Sequence, residues 1–437
     1  MTNPSPQFSD PMDTLSRLAA LVVGPLGGVI VTPDGEVEIY ELSELRKILH
    51  NHDFLICNRP IAERHLKTNM SGCFDILELF AFIRPAEFCL PLPLGLSVAL
   101  DLPGTGDNQE DEAAVLIKSA QILINELSSP DYKYPEGVQA TAYTMGAAGW
   151  KWGPLILGAL KSVAKKQSYQ VWEHLSEWEE KAPGPPPGQA RVSEEETKQR
   201  LKKLLGNGAE NRQGQIDYSI KAARAFEIPE SEEEPTLVLS EAGTGIGKTL
   251  GYIAPSSLWA EKNGGTVWLS TYTKNLQRQL DQELDRLYVN EKEKKQKVVV
   301  RKGRENYLCL LNLQEIGTAA SQPQGKFLLG LVSRWVRYSR DGDMIGGDFP
   351  SWLGETFGAG RLSQLTDRRG ECVYSACSHY KKCFIEKAQR KAKFATLVIA
   401  NHALVMVQSA TRQGEVDLPT RYVFDEGHHL FDAADNV

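Results

Sequence analysis

The feature that most constrains the fold is a glycine-rich loop, Ala242-Gly-Thr-Gly-Ile-Gly-Lys-Thr249, set between an apolar run and a helical segment. Successive backbone N–H groups can curl around phosphate oxygens where glycines permit positive φ angles and close approach. The helix that follows adds the positive end of its dipole. Such a loop between a strand and a helix predicts an α/β fold with a parallel sheet and a nucleotide site. The alternative is a glycine-rich turn that binds nothing.

Two side chains of this loop have specific tasks in phosphate binding. Lys248 is expected to reach the β- and γ-phosphates of ATP, and the Thr249 hydroxyl is expected to ligate Mg²⁺. The main chain supplies the other contacts. The residues expected to bind ATP are Ala242, Gly243, Thr244, Gly245, Ile246, Gly247, Lys248 and Thr249.

Apolar runs in the second half of the chain predict the strands of the sheet, which alternate with helices. The last run ends at Asp425-Glu426-Gly427-His428, and an acidic pair at a strand end is the expected partner of a phosphate loop. Asp425 would hold Mg²⁺ through water, and Glu426 would polarise the attacking water. For an isolated acidic pair, a solvated turn is the alternative. The predicted strands are residues 236–240, 266–270, 298–300, 396–400 and 422–424, with a helix over 275–288.

Length and composition set the number of domains. With 437 residues, 41% of them hydrophobic and 24% charged, the chain is expected to form two or three globular domains. The proline- and glycine-rich run at 182–188 precedes a helix start, with Ser193 as N-cap and Glu196 at the third helical position. We therefore predict an accessory domain over residues 1–180, a linker over 181–192 and a nucleotide-binding domain over 193–437.

No stretch of the sequence is typical of a membrane span. The best candidate, residues 18–31, contains glycines and a proline and is shorter than the roughly 20 residues that a spanning helix needs. The N-terminus lacks the features of a signal peptide, so we predict a cytoplasmic protein without a membrane partner and without structural disulfides. The net charge is -7, and a nucleic-acid site would therefore have to be a local basic patch.

Segments between the two phosphate motifs resemble the iron–sulfur XPD/DinG helicases of superfamily 2, in which alanine is common at the position of Ala242. Residues 269–280 are similar to motif Ia of that family, and Arg212-x-x-Gln215 is similar to an adenine-recognition element. The resemblance implies that Gln215 bonds to the base edge and that His428 couples the nucleotide state to DNA contacts. The side chains suited to the phosphates and sugars of DNA are Thr271, Thr273, Lys274 and Gln277.

Four of the seven cysteines lie between the same two motifs. The segment Lys302–Cys309 is close to the one that bears the first cluster ligand in this family. Four thiolates can hold a 4Fe–4S cluster, but their spacing alone also allows a tetrahedral zinc site. Their placement between the phosphate loop and the acidic pair favours iron–sulfur, in a small helical insert over about residues 301–390. The expected ligands are Cys309, Cys372, Cys377 and Cys383.

The resemblance implies an ATP-dependent DNA helicase that moves 5′ to 3′ on single-stranded DNA and unwinds DNA duplexes and junctions. Runs of lysine and arginine before the first of these cysteines and around the last would give an electrostatic track for phosphates, or simply a solvated face. The family's second motor domain, which carries an arginine finger, is expected beyond Val437, so this chain alone is expected to be weakly active. The alternative is a non-motor module in which nucleotide binding switches the grip on DNA. The sequence leaves the oligomeric state open.

The N-terminal part has a layout similar to DnaQ-like exonuclease domains. A hairpin is predicted from Gly28–Val31 and Glu36–Tyr40. The acidic pair expected on the first strand is absent where Val29–Pro33 stands, and Asp75 alone cannot hold two metal ions. We predict a degenerate, non-catalytic exonuclease-like domain, with an unrelated α/β accessory domain as the alternative and an active nuclease disfavoured.

Overall fold

The structure is a computed structural model that describes residues 10–49, 52–70, 72–103, 108–161, 170–206, 212–228, 236–368, 370–411 and 419–435. Within these residues the chain is α/β, with one mixed sheet and one parallel sheet. The strands are β1 (Ala19–Val23), β2 (Gly27–Val31), β3 (Val37–Glu41), β4 (Phe54–Ile56), β5 (Phe74–Asp75), β6 (Val267–Thr271), β7 (Val298–Val300), β8 (Leu397–Asn401) and β9 (Arg421–Phe424).

Helices connect these strands and cover both sheets. Those before the glycine-rich loop are α1 (Pro11–Leu15), α2 (Leu42–Ile48), α3 (Arg59–Leu66), α4 (Ile76–Ile83), α5 (Pro93–Ala99), α6 (Gln109–Leu127), α7 (Val138–Ala147), α8 (Trp152–Ala159), α9 (Glu194–Leu205) and α10 (Gln213–Ala223). Those after it are α11 (Lys248–Asn263), α12 (Lys274–Glu283), α13 (Glu291–Lys297), α14 (Leu310–Ala319), α15 (Pro323–Tyr338), α16 (Leu353–Phe357), α17 (Ala359–Ser363), α18 (Phe384–Lys393), α19 (His402–Thr411) and α20 (Leu430–Asp435). In the described part of the chain, each helix is too short or too polar to cross a bilayer.

The chain divides into two compact units. The mixed-sheet unit comprises Met1–Glu177 together with Arg304–Phe384, and the parallel-sheet unit comprises Trp178–Gly303 together with Ile385–Val437. The segment with the four predicted cluster ligands is inserted between β7 and β8 along the chain, yet it belongs to the mixed-sheet unit. The predicted helix start is present in the parallel-sheet unit, where Ser193 and Glu196 form a capping box on α9.

The mixed sheet has the strand order β3-β2-β1-β4-β5. Strands β1, β2 and β3 are antiparallel neighbours, whereas β4 runs parallel to both β1 and β5. The predicted hairpin is confirmed, since β2 and β3 pair from Gly27 opposite Glu41 to Val31 opposite Val37. The prediction that the first strand begins near Val29 was wrong, because a preceding apolar run forms β1 and moves Val29 to the second strand.

A buried arginine fixes the inserted segment within the mixed-sheet unit. Arg334 of α15 is 1% exposed. Its guanidinium donates to the carbonyl oxygens of Phe82, Tyr134 and Glu136 at 2.9, 2.8 and 2.6 Å, and to the hydroxyl of Tyr132 at 3.0 Å. Burying a cation is costly unless its donors are satisfied, and these four acceptors offset that cost.

The parallel sheet has the strand order β7-β8-β6-β9. It is apolar on both faces, as expected of parallel strands covered by helices on each side. Four of the five predicted strands are confirmed, with bounds shifted by at most a residue. The predicted strand at 236–240 is wrong: these residues have no regular structure, and Leu237 and Leu239 are 80% and 88% exposed.

The physical reason for the missing strand is that an apolar run signals a preference for burial without supplying a neighbour. Among the described strands β9 lies at the sheet edge, and residues 236–240 are not paired with it. The predicted helix over 275–288 is also shorter than expected, because α12 ends at Glu283 and a single 3₁₀ turn follows at Leu284–Arg286.

Candidate nucleotide-binding site

The carboxyl ends of three parallel strands gather the predicted phosphate motifs at one edge of the sheet. Strand β6 lies between β8 and β9, with Thr271 opposite Asn401 and Ser270 opposite Phe424. Asp425 therefore follows β9 at the level where β6 ends, and its N–H donates to the Ser270 carbonyl at 2.8 Å. Ligands of open α/β sheets bind at this edge.

Lys248 and Glu426 face each other across the candidate site. Lys248 is the first residue of α11, and its Nζ lies 3.9 Å from Oε1 of Glu426. The other carboxylate oxygen of Glu426 lies 3.6 Å from Nδ1 of His428. Glu426 adopts a left-handed conformation with φ 58°, which is uncommon for a residue with a side chain. The structure thus brings the predicted phosphate-binding lysine and the predicted water-polarising carboxylate together.

The two predicted magnesium ligands share one hydroxyl group. Tyr252, in the second turn of α11, donates from its hydroxyl to Oδ2 of Asp425 at 3.2 Å and also hydrogen-bonds the side chain of Thr249. Burial raises the pKa of Asp425 above its ordinary value, the bond from Tyr252 opposes that rise, and the charge of Glu426 adds to it. Asp425 is a half-buried carboxylate whose negative charge is only partly compensated. Together with the Thr249 hydroxyl it offers oxygen donors that fit Mg²⁺.

A histidine outside the predicted site residues, His402, contacts the acidic strand end. Nδ1 of His402 lies 2.7 Å from the Ser270 hydroxyl, and its Nε2 lies 2.9 Å from the Asp425 carbonyl. A carbonyl can only accept, so Nε2 carries the proton and Nδ1 accepts from Ser270. Burial lowers the pKa of His402, which favours this neutral form. The sequence signal for this role is that His402 directly follows the apolar run that forms β8.

The glycine-rich loop depends on its glycines and on two side chains from α10 and its N-cap. Gly245 and Gly247 have φ values of 82° and 84°, and a Cβ on Gly247 would overlap the amide of Gln215. Nε2 of Gln215 donates to the Gly247 carbonyl at 2.9 Å, and Arg212 donates to the Gly245 carbonyl at 2.8 Å. The predicted adenine-reading residue therefore holds the phosphate loop and is only 3% exposed.

The remaining loop residues leave their main chain open to solvent. Residues 242–247 have no regular hydrogen-bonded structure, and most of them are exposed. A loop of this kind can donate its N–H groups to a ligand without first breaking a helix or strand. The residues in this position are Ala242, Gly243, Thr244, Gly245 and Ile246.

The predicted DNA-contacting residues are divided between surface and interior. Thr273 caps α12 by accepting from the Leu276 N–H at 3.3 Å, and Lys274 is exposed. Thr271 and Gln277 are 1% and 2% exposed, and neither amide atom of Gln277 has a hydrogen-bond partner among the described residues. The motif assigned no role to Tyr272, which lies among them and is 43% exposed.

The four predicted cluster ligands all lie in the mixed-sheet unit, as partly exposed cysteines. Cys309 is the N-cap residue of α14, and burial raises the pKa of its thiol while nearby backbone N–H groups lower it. The charges of Asp367 and, to a smaller extent, Cys377 also raise the pKa of Cys309. Four soft sulfur donors fit an iron–sulfur cluster or zinc in their chemistry. In the ranges that the structure describes, however, no three potential ligands converge into a metal site. The other two cysteines are Cys372 and Cys383.

Part of the chain is similar in sequence to known proteins. No family model matches the chain. Over 242 residues the chain is 31% identical to the ATP-dependent DNA helicase YoaA of Haemophilus influenzae. This match covers 51% of this chain and 35% of the relative. It is 32% identical over 248 residues to YoaA of Escherichia coli, covering 52% and 34%. It is 30% identical over 250 residues to the ATP-dependent helicase DinG of Mycobacterium tuberculosis, covering 53% and 36%.

About half of the chain is similar to DinG-type helicases. The matched segments span only about a third of the length of these relatives.

Proposed function

We propose that the parallel-sheet unit is the first RecA-like motor domain of an ATP-dependent DNA helicase. The observation that carries this proposal is the 3.9 Å approach of Lys248 Nζ to Glu426 Oε1, beside the contacts that join Thr249, Tyr252 and Asp425. A phosphate-binding cation, a metal-binding pair and a carboxylate for the attacking water are the parts that phosphoryl transfer to water requires. The similarity to DinG and YoaA supports DNA as the track.

Each of these residues has a defined task in this function. Lys248 binds the β- and γ-phosphates, while Thr249 and Asp425 hold Mg²⁺. Glu426 orients and polarises the attacking water. Gln215 and Arg212 fix the loop that cradles the phosphates, through their bonds to its carbonyls.

Single-stranded DNA and DNA junctions are the proposed substrates, with 5′ to 3′ movement implied by the family resemblance. Motif Ia, at residues 269–280, is the proposed contact with the DNA backbone. Its exposed members Thr273 and Lys274 offer a hydroxyl, a helix N-terminus and a cation to phosphate oxygens. Thr271 and Gln277 are buried and would need a local rearrangement before they could touch DNA.

We propose that the mixed-sheet unit contains a non-catalytic, exonuclease-like accessory domain over about residues 1–180, joined to the motor domain by a linker over 181–192. The absence of acidic residues from β1 supports this assignment. Asp75 is occupied structurally: its carboxylate accepts from the N–H groups of Asn58, Arg59 and Leu77 at 3.3, 2.7 and 2.9 Å. A carboxylate engaged in this way is a poor metal ligand.

A 4Fe–4S cluster held by Cys309, Cys372, Cys377 and Cys383 is a further part of the proposal, with zinc as the alternative. Donor chemistry supports it, as does the grouping of all four thiols in one compact unit. Such a cluster would act as a structural brace within the insert, and no step of ATP hydrolysis is assigned to it.

Nucleotide binding by the purified chain tests the function directly. With Mg²⁺ present, the wild-type chain should bind a fluorescent ATP analogue, and Lys248→Ala should abolish that binding because it removes the cation at the β- and γ-phosphates. Lys262→Ala is a matched control, since Lys262 lies at the other end of α11, where it pairs with Glu196. Equal affinity in wild type and Lys248→Ala would show that the phosphate loop is wrongly assigned. Nucleotide-dependent DNA binding without any hydrolysis would instead favour the non-motor module.

A further inference from the structure

Two aromatic rings join the acidic strand end to motif Ia in the parallel-sheet unit. The rings of Tyr272 and His429 are stacked, with centroids 3.8 Å apart and planes inclined by 11°. Tyr272 is the first residue after β6, and His429 lies in the 3₁₀ turn Gly427–His429 after the acidic pair. Neither residue was assigned a role by the motifs.

His429 belongs to the turn that carries Glu426, the proposed water-polarising residue. Its N–H donates to the Glu426 carbonyl at 3.0 Å, so its backbone belongs to the turn that begins at the water-polarising carboxylate. Its Nδ1 lies 3.4 Å from a carboxylate oxygen of Asp432 at the start of α20. The ring of the neighbouring His428 lies 4.1 Å from that of His429 between centroids, and its Nδ1 lies 3.6 Å from the Glu426 carboxylate.

Tyr272 lies in motif Ia, the proposed contact with DNA. It lies between Thr271 and Thr273, and Thr273 caps the helix that carries the rest of motif Ia. Its ring is 43% exposed, so it belongs to the surface that the proposed DNA contact would use.

The ends of β6 and β9 can move little relative to each other. The β6–β9 register and the bond from the Asp425 N–H to the Ser270 carbonyl fix both strand ends against each other. A change at Glu426 on nucleotide binding can therefore be passed on mainly by the residues beyond the strand ends. Among the described residues, three ring contacts lie there: Tyr272 with His429 at 3.8 Å, His428 with His429 at 4.1 Å and Tyr272 with His402 at 6.4 Å between centroids. The first of them is the parallel stack that joins motif Ia to the turn after the acidic pair.

We propose that the Tyr272–His429 stack is a positioning contact that couples nucleotide binding at the phosphate loop to the grip of motif Ia on single-stranded DNA. This inference rests on the proposed function. Coupling of this kind is a ratio of affinities and is reciprocal, so nucleotide and DNA change each other's binding by the same factor.

The test measures that ratio for the full 437-residue chain. Fluorescence anisotropy of a labelled oligothymidylate gives the DNA affinity in Mg²⁺, with and without saturating AMP-PNP. For the wild type we expect a ratio of about 5 or more, the lower end for coupled sites. Tyr272→Ala and His429→Ala should each bring the ratio close to unity, whereas Tyr272→Phe, which keeps the ring, should preserve it.

A matched control and a double variant separate coupling from a merely structural role. Phe431→Ala removes an aromatic ring that is 79% exposed two positions from His429 and should leave the ratio unchanged. A structural role would weaken DNA binding equally in both nucleotide states and leave the ratio intact. If the two rings act together, Tyr272→Ala combined with His429→Ala should lower the ratio no further than either single change.

Several outcomes would overturn the inference. A wild-type ratio retained in both alanine variants would do so, as would loss of the ratio in His428→Ala but not in His429→Ala. A wild-type chain that binds both ligands with a ratio of one refutes the coupling alone and leaves the proposed function standing. A chain that binds neither AMP-PNP nor the oligonucleotide refutes the proposed function, and the coupling with it.

Discussion

The hydroxyl of Tyr252 donates a hydrogen bond to Oδ2 of Asp425 across 3.2 Å, and so joins the helix of the phosphate loop to the end of β9. Tyr252 is 2% exposed, and the same hydroxyl reaches the side chain of Thr249. The Tyr252 hydroxyl therefore links the proposed magnesium ligand Asp425 to the helix that carries Thr249 before the ion arrives. Preorganisation of this kind lowers the cost of binding.

Removing that oxygen should weaken metal-dependent nucleotide binding. Tyr252→Phe deletes a hydrogen bond to a charged group, which is worth about 1.5–3 kcal/mol, so we expect Mg²⁺-dependent ATP affinity to fall by roughly 10-fold or more. The pKa of Asp425 should rise further, because the bond that opposes the effect of burial is lost. Isothermal titration across a range of Mg²⁺ concentrations measures the first effect. Tyr218→Phe makes the same chemical change in α10, and equal losses in the two variants would contradict the assignment.

A buried carboxylate makes the mixed-sheet unit sensitive to pH. Glu78 is 6% exposed, accepts from Nε1 of Trp150 at 2.7 Å and faces Arg59 at 3.6 Å. Burial, together with the charge of Asp75, raises the pKa of Glu78 from 4.5 to about 7. The folded state then binds more protons than the unfolded state between these two values, so the free energy of unfolding should fall as pH rises from about 4.5 to 7.

Glu78→Gln should remove most of that dependence, because an amide does not titrate while its oxygen can still accept from Trp150. Urea denaturation at a series of pH values, followed by tryptophan fluorescence, measures it. Glu87→Gln is a matched control on a partly exposed carboxylate of the same unit. A wild-type profile that is flat or rising over this window would contradict the prediction.

Arg334 should be far more important for stability than a surface arginine. Arg334→Met removes the donor to the buried carbonyl of Phe82 and to the partly buried carbonyls of Tyr134 and Glu136. An unsatisfied buried group costs about 1–3 kcal/mol, so we expect destabilisation of at least about 1–3 kcal/mol. Arg361→Met removes an exposed side chain and should cost within about 0.5 kcal/mol. Hydrogen exchange of the α15 amides reports the difference. Similar exchange in the two variants would show that Arg334 does not anchor the insert.

The sequence predicted much of the local structure around the candidate site. The glycine-rich loop, the helix that starts at Lys248 and the acidic pair after β9 each follow from short-range rules, and the order of a parallel sheet then brings them to one edge. The sequence did not predict the contacts of Tyr252 and His402 or the Tyr272–His429 stack. Their partners are distant in sequence, and hydrogen bonds between separate strands leave no periodic signal.

Long-range packing also explains what the sequence missed in the fold. The run at 236–240 has the composition of a strand but lacks a paired neighbour among the described strands. The insert carries a buried arginine whose acceptors belong to residues about 200 or more positions away, so its membership in the mixed-sheet unit was invisible from local pattern.

Metal analysis should decide between cluster and zinc. Protein purified without oxygen should be brown and contain about four irons per chain. Cys377→Ser should lose the metal and destabilise the insert, whereas Cys89→Ser, which changes a buried thiol outside the proposed ligand set, should keep it. One zinc per chain without iron would replace the cluster by a tetrahedral site and leave the four ligands unchanged.

Gly247 should tolerate no side chain, and its neighbour Gly214 provides a direct comparison. Gly247 has φ 84°, and a Cβ there would overlap the Gln215 amide that donates to its own carbonyl. Gly247→Ala therefore adds backbone strain of about 1–2 kcal/mol and breaks the bond that fixes the loop. Gly214, inside α10, lacks both constraints, since its nearest neighbour is Ile246 Cδ1 at 4.0 Å. We expect Gly247→Ala to lose ATP-analogue binding and Gly214→Ala to retain it, with a small gain in thermal stability from the better helix former.

Adding Gln215→Ala to Gly247→Ala relieves only the steric overlap, so binding should remain weak. Full recovery in that double variant would mean that crowding by Gln215, and not the left-handed backbone, is what requires glycine at this position.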